Sequence, residues 1–205
     1  MVDKAPIRIA ALERRPLKDA LAHAAKVAEA RIGFALSGLD GPVPDAMIYA
    51  VSGGKALRAF LVLETARLHQ INPVAAAGAA AAIECLHAYS LVHDDMPCMD
   101  NDALRRGQPT VHKKWNEATA VLAGDGLQAL AFELLVQSEC APRAKLNLLM
   151  SLANASGIRG MVGGQAADIA AETAATPLDL DQISALQAGK TGALISWSAL
   201  VGPRM

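Results

Sequence analysis

The sequence predicts an all-α protein, and its composition and patterning both lead to that prediction. Hydrophobic residues make up 53% of the 205 positions, whereas aromatic residues make up only 3%. Alanine and leucine dominate the apolar set and β-branched residues are sparse, a balance that favours helices over strands. No clear strand pattern, low-complexity linker or fixed-period repeat is visible. We therefore expect residues 1–205 to form a single domain of many helices.

Apolar spacing and helix-start residues predict the helices in order. Pro16 can open the first helix, because the N–H that proline lacks is unpaired at that position anyway. Asn72 and Pro73 form another start signal, with asparagine as the N-cap of a long apolar segment. Glycines at 160, 163 and 164 and the stretch 189–192 are expected to interrupt the pattern. The helices are predicted over residues 16–36, 45–51, 55–69, 73–94, 117–138, 142–157, 165–172, 180–188 and 193–201.

Charge and cysteine content exclude several classes of protein. The formal net charge is -1, so no overall positive field indicates nucleic acid or an anionic membrane as a partner. The three cysteines are odd in number and form no CxxC pair, which favours a reducing compartment. Residues 1–6 lack the apolar core of a signal peptide, and the alanine-rich run 74–83 is too short to span a bilayer. We therefore expect a cytoplasmic protein with no membrane span.

Three carboxylates stand where the apolar helix is predicted to end. Asp94 and Asp95 close the helix, Pro97 bends the chain, and Asp100 follows. A helix C-terminus carries partial negative charge and like charges repel, so this cluster is unfavourable by itself. Proteins usually hold Mg²⁺ through one or two carboxylates together with substrate phosphates. A solvated acidic turn is the alternative, but the apolar helix that leads into the cluster favours a magnesium site.

Two basic groups accompany the acidic cluster. Arg105 and Arg106 follow it directly, and arginine forks bind phosphate oxygens that a metal leaves free. Lys55 and Arg58 lie three residues apart at a predicted helix start, where they share a face and where backbone N–H groups favour an anion. The glycines before Lys55 do not form a P-loop. The alternatives are an exposed basic turn for the first pair and an ordinary helix start for the second.

His87 stands seven residues before Asp94, close to two helical turns, so both side chains point the same way. A histidine on an apolar helix is more often a core residue than a ligand, but this one lies on the face that leads to the acids.

One acidic cluster and two basic groups predict two anionic substrates, one bound through metal and one bound directly. No serine or cysteine nucleophile arrangement is evident. Weaker candidates for contacts are Gln165, Asp168, Lys190 and Thr191.

The stretch 84–102 closely resembles the first aspartate-rich motif of the trans-isoprenyl diphosphate synthases, in their bacterial farnesyl diphosphate synthase type. The resemblance covers nearly the whole chain and implies an all-α isoprenoid synthase-type helical bundle around a deep central cavity, forming a homodimer. The further matching stretches, in the same order, are 104–110, 122–125, 163–168 and 190–195.

The resemblance also implies a function and a role for each matching residue. The implied reaction is short-chain prenyl transfer, in which an allylic diphosphate (dimethylallyl or geranyl) ionises, the double bond of isopentenyl diphosphate attacks the cation, and a proton is lost. The implied ligands of Mg²⁺ are Asp94, Asp95 and Asp100. The implied contacts of the allylic diphosphate are Arg105 and Lys190, with Thr191 and Gln165 nearby. The positions that match the isopentenyl diphosphate site are Lys55, Arg58, His87 and Arg106.

Product length follows from the same resemblance. In this family, the residues four and five positions before the first aspartate limit chain growth, and here they are Ser90 and Tyr89. A tyrosine at that place, together with the Pro97–Cys98 insertion, resembles the farnesyl type. A small residue there would favour the geranylgeranyl type, which is the alternative product.

The chain departs from the family pattern in three places. Ala56 and Ala59 stand where the family commonly has arginine and proline, and Ala103 stands where a further acid is common. The family's second aspartate-rich motif lies beyond the end of the 205 residues. We therefore expect a chain truncated at its C-terminus with little activity alone. The alternatives are a catalytically silent helical partner subunit and a terpene cyclase, which the second basic group disfavours.

Overall fold

The computed structural model describes residues 14–205, and within them helices dominate. A short π-helical segment, Ala188–Gly192, joins two of the α-helices. The helices are α1 (Leu17–Ala35), α2 (Pro42–Val51), α3 (Leu57–Leu68), α4 (Pro73–Asp94), α5 (Val111–Lys114), α6 (Glu117–Val136), α7 (Pro142–Ser156), α8 (Met161–Glu172), α9 (Leu180–Gln187), α10 (Ala193–Ala199) and α11 (Val201–Arg204).

Helix α4 lies at the centre of the bundle and packs against α1, α3 and α6. Small side chains make this possible, because an unbroken run of buried residues from Ala79 to Ile83 lets neighbouring helices approach closely on every side. The helix begins as the sequence predicts, with the Asn72 side chain accepting a hydrogen bond from the backbone N–H of Val74 at 2.9 Å. Its other end carries Asp94, so the core helix delivers the acidic cluster to the edge of the core.

A two-stranded antiparallel hairpin follows the acidic cluster, with β1 at Leu104–Arg105 and β2 at Gln108–Pro109. The Tyr49 hydroxyl on α2 donates to the Pro109 carbonyl at 2.8 Å and fixes the hairpin to the bundle. The Lys114 ammonium lies 3.7 Å from the centre of the Tyr49 ring, which adds a cation–π contact. The hairpin thereby holds Arg105 and Arg106 against the end of α4.

The all-α prediction is confirmed, but several predicted boundaries are wrong. The hairpin stands where no strand was expected, and α3 begins two residues after Lys55, so this lysine is not helical. Helix α2 begins at Pro42 rather than near Asp45. Helix α8 runs through both of its glycines, since their neighbours supply enough helical packing to offset the cost of glycine. The stretch 189–192 does not break the helix; it widens into the π-helical segment.

Within residues 14–205, α4 and α6 are long and apolar enough to cross a bilayer, judged by length and composition alone. The alanine-rich run 74–83, which is too short by itself to span a bilayer, is part of the longer apolar helix α4. The apolar window of α4 is 67% buried inside the bundle and that of α6 is 50% buried, and core helices of globular proteins meet the same two conditions. The expectation about a signal peptide concerns residues 1–6, which lie outside the described residues.

Candidate active site

The chain turns sharply where α4 ends. The backbone N–H of Asp100 donates to the carbonyl of Asp94 at 2.8 Å, and that of Asn101 donates to the carbonyl of Met96 at 3.0 Å. Asn101 has a φ of 52°, in the left-handed region that asparagine tolerates better than most residues. The turn therefore brings Asp100 back beside Asp94, as a shared metal would require.

A cavity of about 430 Å³ lies beside this turn, lined by α3, α4, α8 and the π-helical segment. Apolar residues such as Met161, Val162 and Ile169 form much of its wall. Charged groups and an apolar wall together suit a ligand with an anionic head and a hydrocarbon tail. The predicted site residues that line the cavity are Arg58, His87, Tyr89, Ser90, Asp94, Gln165, Lys190 and Thr191.

Asp94 carries an unfavourable charge in this cavity. Burial raises the pKa of its carboxyl group to about 6, and the carboxylates of Asp100 and Asp95 act in the same direction. The positive charges of Lys190 and Arg105 oppose this rise without cancelling it. Because the neighbouring positive charges do not fully offset its negative charge, the Asp94 carboxylate is well suited to bind a cation.

Asp95 has a different environment, although it is the next residue. It is buried, and the Arg105 side chain donates to its two oxygens from Nε at 2.7 and 2.9 Å and from Nη2 at 2.5 Å. These hydrogen bonds raise the pKa of Arg105. Asp95 and Arg105 line a second cavity of about 240 Å³ together with Arg106. The structure therefore pairs a predicted metal ligand with a predicted phosphate contact.

The three predicted metal ligands are thus arranged unequally. Asp94 faces the larger cavity, Asp95 is held by an arginine, and Asp100 is exposed. Within residues 14–205, no three Asp, Glu, His or Cys side chains converge into a ready-made metal centre. Asp94 and Asp100 fit the oxygen-donor chemistry of Mg²⁺, which takes one or two carboxylates and completes its shell with water and phosphate.

The predicted residues of the second basic group also separate. Arg58 lines the larger cavity, and its buried Nε has no hydrogen-bond partner in the described part of the chain. Arg106 donates from Nη1 to the Ser52 carbonyl at 3.3 Å and lies against Gly54, where a side chain would contact its guanidinium at 3.0 Å. Lys55 is exposed and lines neither of these two cavities.

His87 lies on the same side of α4 as Asp94, as its spacing predicts, and lines the same cavity. Burial, followed by the positive charges of Arg58, Arg106 and Arg105, lowers its pKa to about 3. The imidazole is therefore neutral near pH 7. It can donate or accept a hydrogen bond in the cavity, but it adds no positive charge.

Lys190 is presented by the π-helical segment, a widened turn that often occurs at functional sites. Its ammonium group forms an ion pair with Asp168 of α8. Gly164 allows the two elements to approach this closely, because a Cβ atom there would lie 2.1 Å from the Lys190 backbone nitrogen. Gln165 and Thr191 line the cavity beside this contact.

Tyr89 and Ser90 lie on the cavity wall one turn before Asp94. The Tyr89 ring is buried and meets the His93 ring edge-on at 5.7 Å between centroids. The Ser90 hydroxyl donates to the His87 carbonyl at 2.9 Å within the helix. The ring of Tyr89 is therefore a fixed part of the wall rather than a mobile side chain.

A sequence model of one family, described as polyprenyl synthetase, matches residues 42–204, which include both cavities and every residue predicted for the site. The chain belongs to the polyprenyl synthetase family. The match confirms the resemblance found in the sequence.

Individual members of the polyprenyl synthetase family give the same result. The chain is 48% identical to the farnesyl diphosphate synthase of Escherichia coli strain K12 over 165 residues, 78% of this chain and 54% of that protein. It is 44% identical to the farnesyl diphosphate synthase of Geobacillus stearothermophilus, with coverage of 80% and 57%. The chain therefore spans about half the length of these curated relatives.

A solved member of the polyprenyl synthetase family, an FPP/GFPP synthase from Zymomonas mobilis without ligand, superposes with a TM-score of 0.88 at 47% identity. The superposition covers 92% of this chain and 70% of that one. An all-α isoprenoid synthase fold is thus confirmed for the described residues.

Sequence reasoning missed one charged residue of this polyprenyl synthetase site and underrated another. Glu84 accepts a hydrogen bond from the backbone N–H of Ala59 at 2.9 Å, so it ties α4 to α3. Its position three residues before His87 was the available signal, since that spacing puts both side chains on one side of the helix. Asp168 was only a weak candidate because its partner Lys190 is 22 positions away.

Proposed function

We propose that this chain carries the substrate site of a short-chain prenyltransferase, which condenses isopentenyl diphosphate with an allylic diphosphate to give farnesyl diphosphate. One observation carries the proposal: α4 and the π-helical segment place Asp94 and Lys190 in the same cavity, where their charges act on each other. The curated relatives bear the name of this activity. The cavity supplies the charged contacts and the apolar wall that its substrates need.

The proposed role of the cations is to stabilise the departing diphosphate. Lys190 lines the cavity and exchanges its partner Asp168 for phosphate oxygens when the allylic substrate binds. Fixed positive charges in a cavity that excludes water stabilise developing negative charge more strongly than the same charges do in water. Gln165 and Thr191 contribute hydrogen bonds to the same diphosphate.

A magnesium ion fits the acidic turn through Asp94 and Asp100, for the reasons of charge and position given above. When bound, Mg²⁺ neutralises diphosphate charge and so assists the loss of the leaving group. Asp95 does not take part as a ligand while it holds Arg105. Arg105, fixed in this way, offers its remaining N–H groups to the phosphate.

The acceptor site is proposed around Arg58, Arg106 and Lys55, which bind isopentenyl diphosphate directly. The neutral His87 ring donates or accepts one hydrogen bond there. The reaction needs no protein nucleophile, because the isopentenyl double bond is the nucleophile and the diphosphate is the leaving group. The free, buried Cys85 thiol, whose pKa is raised by burial, has no part in it.

The proposed product is farnesyl diphosphate because Tyr89 is a buried, fixed ring in the cavity wall. Geranylgeranyl diphosphate is the second candidate product, and geranylgeranyl pyrophosphate synthases at 40–42% identity favour it as an alternative.

The proposed assembly is a homodimer, in which a partner covers apolar side chains exposed on α6, such as Leu122 and Val136. We also propose a cytoplasmic location, which the three free thiols support.

The test is to incubate the protein with geranyl diphosphate, isopentenyl diphosphate and MgCl₂, and to identify the dephosphorylated products by chromatography. We expect a C15 alcohol, formed slowly by these 205 residues alone, and no product when EDTA replaces MgCl₂. A protein that binds both diphosphates but forms no product would be a silent helical partner. A cyclic hydrocarbon released from geranyl diphosphate alone would contradict the proposal in favour of a cyclase.

A further inference from the structure

Glu84 is a half-buried carboxylate to which the proposed reaction gives no role. It lies on α4, three residues before His87 and ten before Asp94, and this spacing places all three on one side of the helix. Unlike the other two, it does not line the larger cavity. Burial raises the pKa of Glu84, and a hydrogen bond and two nearby arginines counteract that rise.

The hydrogen bond joins Glu84 to the start of α3. Ala56 precedes this helix and has no side-chain oxygen with which to cap it. The N–H of Ala59 belongs to the first turn, where helix donors have no partner within the helix, and Glu84 Oε1 accepts from it at 2.9 Å. A carboxylate also interacts favourably with the positive end of the helix. Glu84 therefore fixes the turn that carries Arg58.

The two arginines are Arg58 and Arg106, whose charges both act on Glu84. In the described part of the chain, no hydrogen bond joins the Glu84 carboxylate to either guanidinium, and the buried Nε of Arg58 is unpaired. Glu84 thus supplies counter-charge without occupying the donors of Arg58. By contrast, Asp95 occupies three donor contacts of Arg105.

We propose that Glu84 is a positioning residue for the site that binds a diphosphate directly. It fixes the first turn of α3 and holds Arg58 at the cavity wall, leaving the guanidinium donors free for phosphate oxygens. The inference rests on the proposed function, because that function makes the ligand a diphosphate. It assigns this half-buried glutamate to the acceptor side of the cavity rather than to the metal.

The test compares E84Q, E84A and the control E139Q, which changes an exposed glutamate outside both cavities. Glutamine keeps the shape and can still accept from Ala59, so E84Q removes only the charge. We expect E84Q to melt like the unmodified protein, whereas E84A melts earlier. Inorganic diphosphate, titrated calorimetrically in EDTA, should bind E84A about tenfold more weakly, because the turn that carries Arg58 loses its hydrogen bond to a charged group, whereas E84Q keeps that bond and should bind nearly as the unmodified protein does.

Kinetics separate positioning from simple electrostatics and from a purely structural role. E84A should raise the KM for isopentenyl diphosphate about tenfold, with kcat and the KM for geranyl diphosphate nearly unchanged, and E84Q should keep all three values near those of the unmodified protein. If Glu84 acted only through its charge, both variants would bind anions more tightly, so equal or tighter diphosphate binding by E84A overturns the proposal. The proposal is also overturned if the unmodified protein binds no inorganic diphosphate. If diphosphate binds but no prenyl product forms, the proposed function fails while the calorimetry still decides the role of Glu84.

Discussion

Asp95 and Arg105 neutralise each other through hydrogen bonds as short as 2.5 Å, whereas the carboxylate of Asp94, one residue earlier, has no hydrogen-bond or ion-pair partner among residues 14–205. Two chemically identical neighbours in one motif therefore differ in what they contribute. Asp95 stabilises the fold and positions an arginine, and Asp94 keeps its charge available for a ligand. Stability and activity of variants at the two positions should differ accordingly.

Replacing Asp95 by asparagine should destabilise the protein without any ligand. The variant keeps the shape but leaves Arg105 without its charged partner, and we expect the free energy of unfolding to fall by about 1–3 kcal/mol. Asp102 is the matched control, since its exposed carboxylate lies 3.6 Å from the same guanidinium. Asp102→Asn should change stability by less than about 1 kcal/mol. Urea titrations in EDTA measure the free energy of unfolding of both variants. Equal losses in the two variants would refute the stabilising role of Asp95.

Replacing Asp94 by asparagine should have the opposite effect on the metal-free protein. Because its pKa is raised to about 6, the ionised carboxylate disfavours the folded state above that pH, so its removal should stabilise the protein at pH 7.5. The rate of prenyl transfer should fall at least about 100-fold, since a group that serves the reacting diphosphate is lost. A variant that loses stability in EDTA would show that Asp94 is structural.

His87 should make the protein sensitive to acid. Its pKa is about 3 in the folded state and 6.5 in the unfolded chain, so the unfolded state binds the extra proton as the pH falls from 6.5 towards 3. Stability is present above pH 6.5 and declines below it, by up to about 1.4 kcal/mol per pH unit. His87→Asn should decline less steeply than the unmodified protein between pH 6.5 and 4.5. The exposed His23 on α1 supplies the control, and an unchanged slope in both variants would refute the prediction.

Tyr89 should set the product length. Tyr89→Ala removes a buried ring from the wall of the cavity, which should admit a longer chain and shift the product from C15 towards C20 alcohols after dephosphorylation. Tyr89→Phe keeps the ring and should keep the C15 product. Chromatography of both variants under one substrate ratio provides the comparison. The same product from all three proteins would remove Tyr89 as the determinant.

Gly164 should be intolerant of any side chain. In Gly164→Ala, the new methyl group would lie 2.1 Å from the Lys190 nitrogen and 2.6 Å from its Cα, and backbone cannot yield as a flexible side chain does. We expect lower thermal stability and loss of diphosphate binding together. Gly192→Ala is the control within the same segment, because its nearest contact is an ordinary 3.7 Å. Circular dichroism melts and calorimetry with inorganic diphosphate measure both effects.

Helix type and the position of the acidic cluster could be predicted because they depend on local spacing. Asn72 and Pro73 start α4 where the sequence predicts, and seven residues separate His87 from Asp94 on one side of that helix. The hairpin was missed because two-residue strands leave too few positions for an alternating pattern. The sequence predicts a break where the π-helical segment lies, since glycines at 189 and 192 weaken a helical pattern whether or not packing maintains the helix.

The charge partners could not be predicted because they depend on packing between elements. Nothing in the sequence distinguishes Asp94 from Asp95, which differ only in the direction their side chains take from the end of α4. Lys55 and Arg58 have helical spacing, but α3 begins between them. The role of Lys55 in binding therefore stays a prediction, whereas Arg58 lies where the sequence placed it.

Asp94 and Asp95 line different cavities and share one peptide bond, so a movement of the main chain at this point reaches both cavities. A ligand that draws the main chain at Asp94 towards the larger cavity would also displace the carboxylate that holds Arg105 in the smaller one. Any effect of one cavity's occupancy on the affinity of the other would be equal in both directions, since thermodynamic coupling between two sites is reciprocal.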